Sequence, residues 1–99
     1  MDNKQSITLL TMEEVVVVSL YDSYGALLKI LAICKNMDKA KDYVMDRIEA
    51  ERKEYDYPKP KVVETPCEFY GMYIDASFYN LDFEEFALHF GLEYRKLID

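Results

Sequence analysis

The sequence predicts a small α+β fold, in which an antiparallel sheet with the element order ββαβ(β)α carries two helices packed on one face. Three observations lead to this fold class: two adjacent aliphatic runs near the N-terminus, an apolar stripe of helical spacing in the middle, and a second such stripe near the C-terminus. With 99 residues the chain can bury one core but not two. We therefore expect a single domain over residues 1–99, with residues 1–11 as an arm or a short edge strand.

Residues 15–34 predict a β-hairpin. Four consecutive valines, at positions 15–18, lose side-chain freedom in a helix and favour a pleated strand. The turn sequence Asp-Ser-Tyr-Gly at positions 22–25 separates this run from a second one, which ends at Cys34. Side chains alternate between the faces of a strand, and both faces of both runs are apolar. One face should be covered by helices, and the other by a further segment or by another chain.

The second face of the hairpin gives a candidate dimer contact. By alternation, one face of the second run consists of Leu27, Lys29, Leu31 and Ile33. Lys29 is its only charged member, and a two-layer domain needs only one apolar sheet face. A homodimer with a structural or regulatory role, in contact through these four residues, is therefore the alternative to the leading function described below.

The middle of the chain predicts a helix. Its apolar stripe follows spacings of three, four, four and seven residues, and Asp38 is the expected N-cap. The Pro-containing segment after residue 55 should end this helix. The stripe comprises Met37, Ala40, Val44, Ile48 and Tyr55.

Residues 61–79 predict a third extended region, in which alternate residues from Tyr70 to Phe78 form an apolar face. A second helix is expected after it. Asp82 and Glu85 occupy the N-cap and N3 positions of a capping-box variant, and Gly91 follows as a C-cap. Between them lies a stripe of helical spacing made by Phe83, Phe86, Ala87 and Phe90.

Charge is unevenly distributed along the chain. The formal net charge of −7 argues against direct binding to nucleic acid or to an anionic membrane, because both need clustered Lys and Arg. Residues 29–61 hold nine basic and seven acidic residues, whereas residues 62–94 hold seven acidic residues and no Lys or Arg. The last third should therefore present a negative surface with interleaved tyrosines, which suits contact with a basic protein.

The leading hypothesis is a small non-catalytic protein-binding module that blocks a basic, nucleic-acid-binding surface of a host or defence protein. Its candidate contacts are Glu64, Glu68, Tyr73, Asp75, Tyr79, Asp82, Glu84, Glu85 and Glu93. An acidic, solvated surface whose tyrosines lie mostly in the core is the competing interpretation of the same residues. An enzyme whose acid and base converge from distant segments ranks third.

Other motifs add little chemistry. The only histidine, His89, falls away from the apolar stripe of the expected second helix and predicts a surface residue. No phosphate loop, metal-ligand spacing or nucleophile motif is present, so neither a cofactor nor a metal is expected. Cys34 and Cys67 predict buried, reduced thiols. With no long apolar span and no leader-like start, we expect a cytoplasmic protein.

Residues 19–25 (Ser-Leu-Tyr-Asp-Ser-Tyr-Gly), followed by the second strand and by residues 38–44 (Asp-Lys-Ala-Lys-Asp-Tyr-Val), resemble a group of small uncharacterised phage and Gram-positive bacterial proteins. In that group a tyrosine-rich hairpin turn precedes a strand and a helix. The likeness covers residues 15–48, and residues 32–34 depart from the group's usual valine and aromatic. The resemblance implies a ββα start and a phage origin. It assigns no activity and no site residue.

Overall fold

The computed structural model describes residues 14–80 and 83–96, except for the side chain of Glu85. Over these ranges the chain forms five strands and one helix. The elements are β1 (Glu14–Tyr21), β2 (Leu27–Cys34), α1 (Met37–Glu54), β3 (Lys61–Cys67), β4 (Gly71–Asn80) and β5 (Phe83–Lys96). The strands form a single antiparallel sheet in the order β2-β1-β5-β4-β3. The expected arm or edge strand over residues 1–11 lies outside the described residues.

The N-terminal hairpin is confirmed. β1 and β2 pair antiparallel, and the turn between them is closed by the carboxylate of Asp22, which accepts hydrogen bonds from the backbone N–H groups of Tyr24 and Ala26, both at 2.9 Å. Gly25 adopts φ +86°, a conformation that a side chain would strain. The turn is therefore specified locally by an Asp and a Gly.

The middle helix is also confirmed, and its buried residues are Ala40, Val44 and Ile48. The predicted N-cap was wrong by two residues. Asn36 caps α1, because its side-chain oxygen accepts a hydrogen bond from the backbone N–H of Lys39 at 2.9 Å. Asp38 lies in the first turn instead, where its charge interacts favourably with the helix dipole.

The predicted second helix is wrong, and with it the fold class of two helices on a sheet. Residues 83–96 form β5, which pairs with both β1 and β4. Phe86 and Phe90 are four residues apart, which fits both a helical stripe and the two-residue period of a strand. Leu88 and Leu92 continue the two-residue period. Gly91 is accordingly a mid-strand glycine and not a C-cap.

The core lies between α1 and one face of the sheet, here called the covered face. Most of its sheet residues come from the three central strands, where partners across the ladder share a face. Burying a large apolar side chain contributes roughly 1.5–3 kcal/mol, so this layer supplies most of the stability. The fully or almost fully buried set is Val16, Val18, Ala40, Val44, Ile48, Ile74, Ala76, Phe78, Phe90 and Leu92.

Candidate functional site

The opposite face of the sheet, here called the open face, carries a mixed polar and aromatic surface. The helix packs against the covered face only. Pairing register places Tyr21 beside His89, and His89 beside Asp75, on the open face. Further along the same face, Glu93 pairs with Val17 and Arg95 with Val15. Aromatic and charged side chains from three adjacent strands therefore meet on one surface.

Asp75 and His89 form a cross-strand pair. Nδ1 of His89 lies 2.7 Å from Oδ1 of Asp75, and the two side chains are 31% and 40% exposed, in that order. A carboxylate accepts, so the hydrogen bond assigns a proton to Nδ1 of His89. The prediction of His89 as a surface residue placed it on a helix, whereas it lies near the middle of the sheet.

A second polar group on the open face is centred on Glu93. The hydroxyl of Tyr21 donates to Oε1 of Glu93 at 2.5 Å, and Arg95 donates to Oε2 at 2.6 Å. The hydrogen bond to Glu93, reinforced by burial and by the charge of the same carboxylate, raises the pKa of Tyr21 above its ordinary value of 10.0. The guanidinium of Arg95 balances the charge of Glu93.

The ring of Tyr21 also explains the glycine in β5. A Cβ added to Gly91 would lie 2.7 Å from Cε2 of Tyr21, closer than such atoms approach in proteins. The aromatic ring therefore lies across the bare backbone of β5, an arrangement that shields a strand glycine from water.

A gap in strand pairing lies next to this surface. β1 ends at Tyr21, opposite His89, so residues 83–88 of β5 have a described strand partner on the β4 side only. The space between residues 83–88 and the β1–β2 turn is called the notch. The notch is an open groove of about 610 Å³. It shares several lining residues with a smaller hollow of about 300 Å³ beside Tyr73. The notch is lined by Leu20, Tyr21, Asp22, Ser23, Leu28, Glu84, Phe86, Ala87, Leu88 and His89.

The projecting end of the β4–β5 hairpin is braced from the covered face. Phe78 and Phe86 stack with ring centroids 4.7 Å apart, and Tyr57 lies 5.6 Å from Phe78 and 5.3 Å from Phe86. Tyr55, just after α1, meets Phe86 edge-on at 6.2 Å. Packed aromatic pairs add stability beyond the area that they bury, so this wall of the notch is held in place without a ligand.

The acidic residues predicted as contacts do not form one continuous patch. Asp75, Glu84 and Glu93 lie on the open face with Tyr73 and Tyr79. The remaining predicted contacts are elsewhere. Asp82 lies outside the described residues, and the side chain of Glu85 is not described. Glu64 points to the helix side, where it pairs with Lys41 at 3.0 Å, and Glu68 is exposed in the β3–β4 turn.

The predicted dimer residues do not share a face either. Two register shifts interrupt the pairing of β1 with β2, so the alternation assumed for β2 fails. Leu31 packs against the core, whereas Leu27 and Ile33 are exposed and Lys29 pairs opposite Leu20. Leu28 and Ile30 are exposed as well.

Sequence reasoning missed Tyr21 and His89 as site residues and missed the notch altogether. The available signal was the alternation of residues 86–92, which predicts a strand and places His89 on the face opposite Phe90. The sequence does not indicate how far β5 extends beyond the end of β1, because that length depends on the pairing register.

Cys34 and Cys67 are free, as predicted, but they are half-buried and not buried. In residues 14–80 and 83–96, no three His, Cys, Asp or Glu side chains are grouped to hold a metal ion. No helix in the described part of the chain is long and apolar enough to cross a membrane. Comparison with protein-family models, curated proteins and solved structures finds no match.

Proposed function

We propose that this chain is a non-catalytic protein-binding module, which contacts a basic partner through the open face and the notch. The observation that carries the proposal is the absence of Lys and Arg from residues 62–94, a segment that includes all of β4 and most of β5. In the folded chain Glu64 and Glu93 have basic partners, whereas Asp22 and Glu84 line the notch, whose lining contains no Lys or Arg. Such carboxylates attract a basic surface from a distance and disfavour an acidic one.

Aromatic side chains on the same surface support a protein partner. Tyr73 is 39% exposed and lines the hollow together with His89, and Tyr21 lines both the notch and the hollow. Tyrosine offers a large, stiff contact area and a hydroxyl, which is why it is enriched where proteins meet. The hydrogen bond to Glu93 holds the ring of Tyr21 in a defined position.

The chemistry of the Asp75–His89 pair supports a binding role over a catalytic one. An imidazole oriented by a carboxylate acts as a general base only when a nucleophile or substrate proton lies within hydrogen-bond reach of its free nitrogen. Among the described residues, His89 has a hydrogen bond to Asp75 and none to a Ser, Thr or Cys side chain.

An inhibitory role follows from the same surface. Proteins that bind nucleic acid do so largely through Lys and Arg that contact phosphates. A folded acidic module that covers those side chains would compete with the nucleic acid for them. Blocking a host or defence protein in this way, in the phage setting that the sequence resemblance implies, is the biological form of the proposal.

Affinity capture from a bacterial lysate tests the proposal. The intact chain should recover one or a few basic proteins at low salt and release them at about 1 M salt, where charge interactions are screened beyond about 3 Å. The double variant Asp75→Asn, Glu84→Gln should lose the captured protein. The matched control is Glu14→Gln, Asp46→Asn, which removes two exposed charges away from the notch and should retain it. The proposal would be rejected if neither high salt nor either double variant changed the amount of protein captured.

A second candidate function is a homodimer through the outer edge of β2. Leu27, Leu28, Ile30 and Ile33 are 54–66% exposed on this edge strand, and Lys29 is the only charge in it. Two copies related by a two-fold axis would pair their β2 strands and continue the sheet with little electrostatic repulsion.

Sedimentation of the intact chain at micromolar concentration tests the dimer. A dimer should dissociate in the Ile30→Lys, Ile33→Lys variant and persist in the control Tyr24→Lys, which adds a charge at the fully exposed tip of the turn. A monomer at all concentrations would exclude this candidate.

A further inference from the structure

We propose that the notch binds an extended segment of the basic partner as an added strand on the free edge of β5, in line with β1. The segment would alternate apolar and basic side chains. This inference rests on the proposed function and specifies its binding mode.

Residues 83–88 of β5 have one edge that no described strand pairs with. Register pairs run from Glu14 with Lys96 to Tyr21 with His89, and there the β1 ladder stops. Residues 83–88 continue β5 with β4 as their only described neighbour. In a strand roughly half of the backbone N–H and C=O groups point to each edge, so those of residues 83–88 that face the notch have no strand partner among residues 14–80 and 83–96.

Natural sheets usually protect such an edge, and the outer edge of the sheet at β3 differs from residues 83–88 in this respect. β3, at one margin of the sheet, contains both Lys61 and Pro66, and these residues discourage strand pairing. Residues 83–88 contain neither Lys nor Pro. The pairing of β5 with β4 has one bulge, which lies between Glu84 and Phe86. Residues 86–88 beyond it form a regular edge.

The walls of the notch determine which side chains an added strand would carry. Phe86 and Leu88 pair with the buried residues Phe78 and Ala76, so they face the covered side, whereas Ala87 and His89 face the open side. Neighbouring strands align their faces, so successive residues of an added strand would lie alternately beside an apolar wall and beside the polar open face.

Charge complementarity selects a basic segment. The notch is lined by the acidic residues Asp22 and Glu84 and by no Lys or Arg. Basic side chains on the open side of the added strand would meet these groups, while apolar ones on the other side would contact Leu20, Phe86 and Leu88. This pattern combines backbone pairing for affinity with alternating side-chain contacts for specificity.

The notch is also formed in advance. The stacked pair of Phe78 and Phe86, with Tyr57 against both, supports one wall, and the hydrogen-bonded turn at Asp22 supports the other. A partner segment would then lose its own freedom on binding but would not need to order the walls, which lowers the free-energy cost of association.

The test uses the capped hexapeptide acetyl-Lys-Val-Lys-Val-Lys-Val-amide, titrated into the intact ¹⁵N-labelled chain. Binding should shift the amide signals of residues 83–88 and slow their hydrogen exchange. Two N-methylated versions separate strand addition from simple charge attraction. In one the three valine amides are methylated, and in the other the three lysine amides. The two sets of amides point to opposite edges of an extended strand, so one version should lose at least about tenfold in affinity and the other should bind like the parent.

Two pairs of protein variants locate the site. Leu28→Ser should weaken the peptide by about tenfold, and Glu84→Gln by a fewfold, because both residues line the notch. Ile33→Ser and Glu14→Gln make the same changes at exposed positions outside the notch and should leave the affinity unchanged.

Failure of this inference can be told from failure of the proposed function. Equal affinity of both methylated peptides, or no peptide binding while salt-sensitive protein capture persists, would overturn strand addition and leave the binding module standing. Loss of both peptide binding and capture would overturn both proposals. Self-association of the intact chain that Leu28→Ser abolishes and Ile33→Ser does not would show a second copy in the notch, and would also overturn the basic segment as its occupant.

Discussion

The two faces of the sheet are built from the same strands but hold different chemistry. On the covered face, Phe78, Phe90 and Leu92 are buried against α1 and against each other. On the open face, Tyr21, His89 and their carboxylate partners form hydrogen bonds while remaining partly exposed. Alternate residues of one strand thus serve stability and surface recognition separately. Changes on the open face should therefore alter binding at little cost to folding, and the reverse should hold for the covered face.

The largest loss of stability should come from truncating an aromatic side chain on the covered face. Phe78→Ala should lower the free energy of unfolding by about 3–5 kcal/mol, because it leaves a cavity under the stacked ring of Phe86. Urea denaturation gives the value. Phe83→Ala is the control, since that ring is 75% exposed, and its effect should stay within about 0.5 kcal/mol. Similar losses for the two variants would contradict this division of the core.

The open face has one closely packed point, at Gly91. Gly91→Ala should destabilise the chain by about 1–3 kcal/mol, because its Cβ would meet the ring of Tyr21. In the background of Tyr21→Ala the same change should cost much less. Denaturation of the two single variants and the double variant gives the coupling energy, and additive effects would show that the ring does not restrict this position.

The hydrogen bond from Tyr21 to Glu93 should stabilise the fold at neutral pH, and this contribution to the free energy of unfolding should be lost at alkaline pH. The pKa of Tyr21 is raised above 10.0 in the folded chain, so its stabilising effect is complete below about pH 10 and is lost as the pH rises through the raised pKa. Tyr21→Phe should therefore cost about 1 kcal/mol at neutral pH, and the difference from wild type should shrink above pH 10. Tyr24→Phe, at the exposed tip of the turn, should show no such trend. If the difference in free energy of unfolding between wild type and Tyr21→Phe did not change with pH, the hydrogen bond to Glu93 would not be its cause.

The smallest effect on folding is expected at the exposed margin of the sheet. The double variant Ile30→Ser, Ile33→Ser should change the free energy of unfolding of the monomer by no more than about 0.5 kcal/mol per residue, since both side chains are mostly exposed. A larger, concentration-dependent loss in thermal denaturation would mean instead that these residues are buried between two copies.

Local signals predicted the first half of the fold well. The valines of β1, the Asp and Gly of the turn and the apolar stripe of α1 each act through contacts within a few residues, so their structure could be derived without a partner. The residues after position 82 could not be assigned in this way, because phenylalanines four apart satisfy both the helical and the strand period. Pairing with β1 on one side and β4 on the other decided for the strand.

The sequence by itself determined the hairpin, the middle helix, the alternating face of β4 and the absence of cations from residues 62–94. Only the tertiary structure decided which of the acidic residues share a surface, because the strand register sends Glu64 to Lys41 and places Asp75 beside His89. It also created the notch, which exists because β5 extends six residues beyond the end of β1. The physical reason is that register is a property of pairs of strands, and no single stretch of sequence contains it.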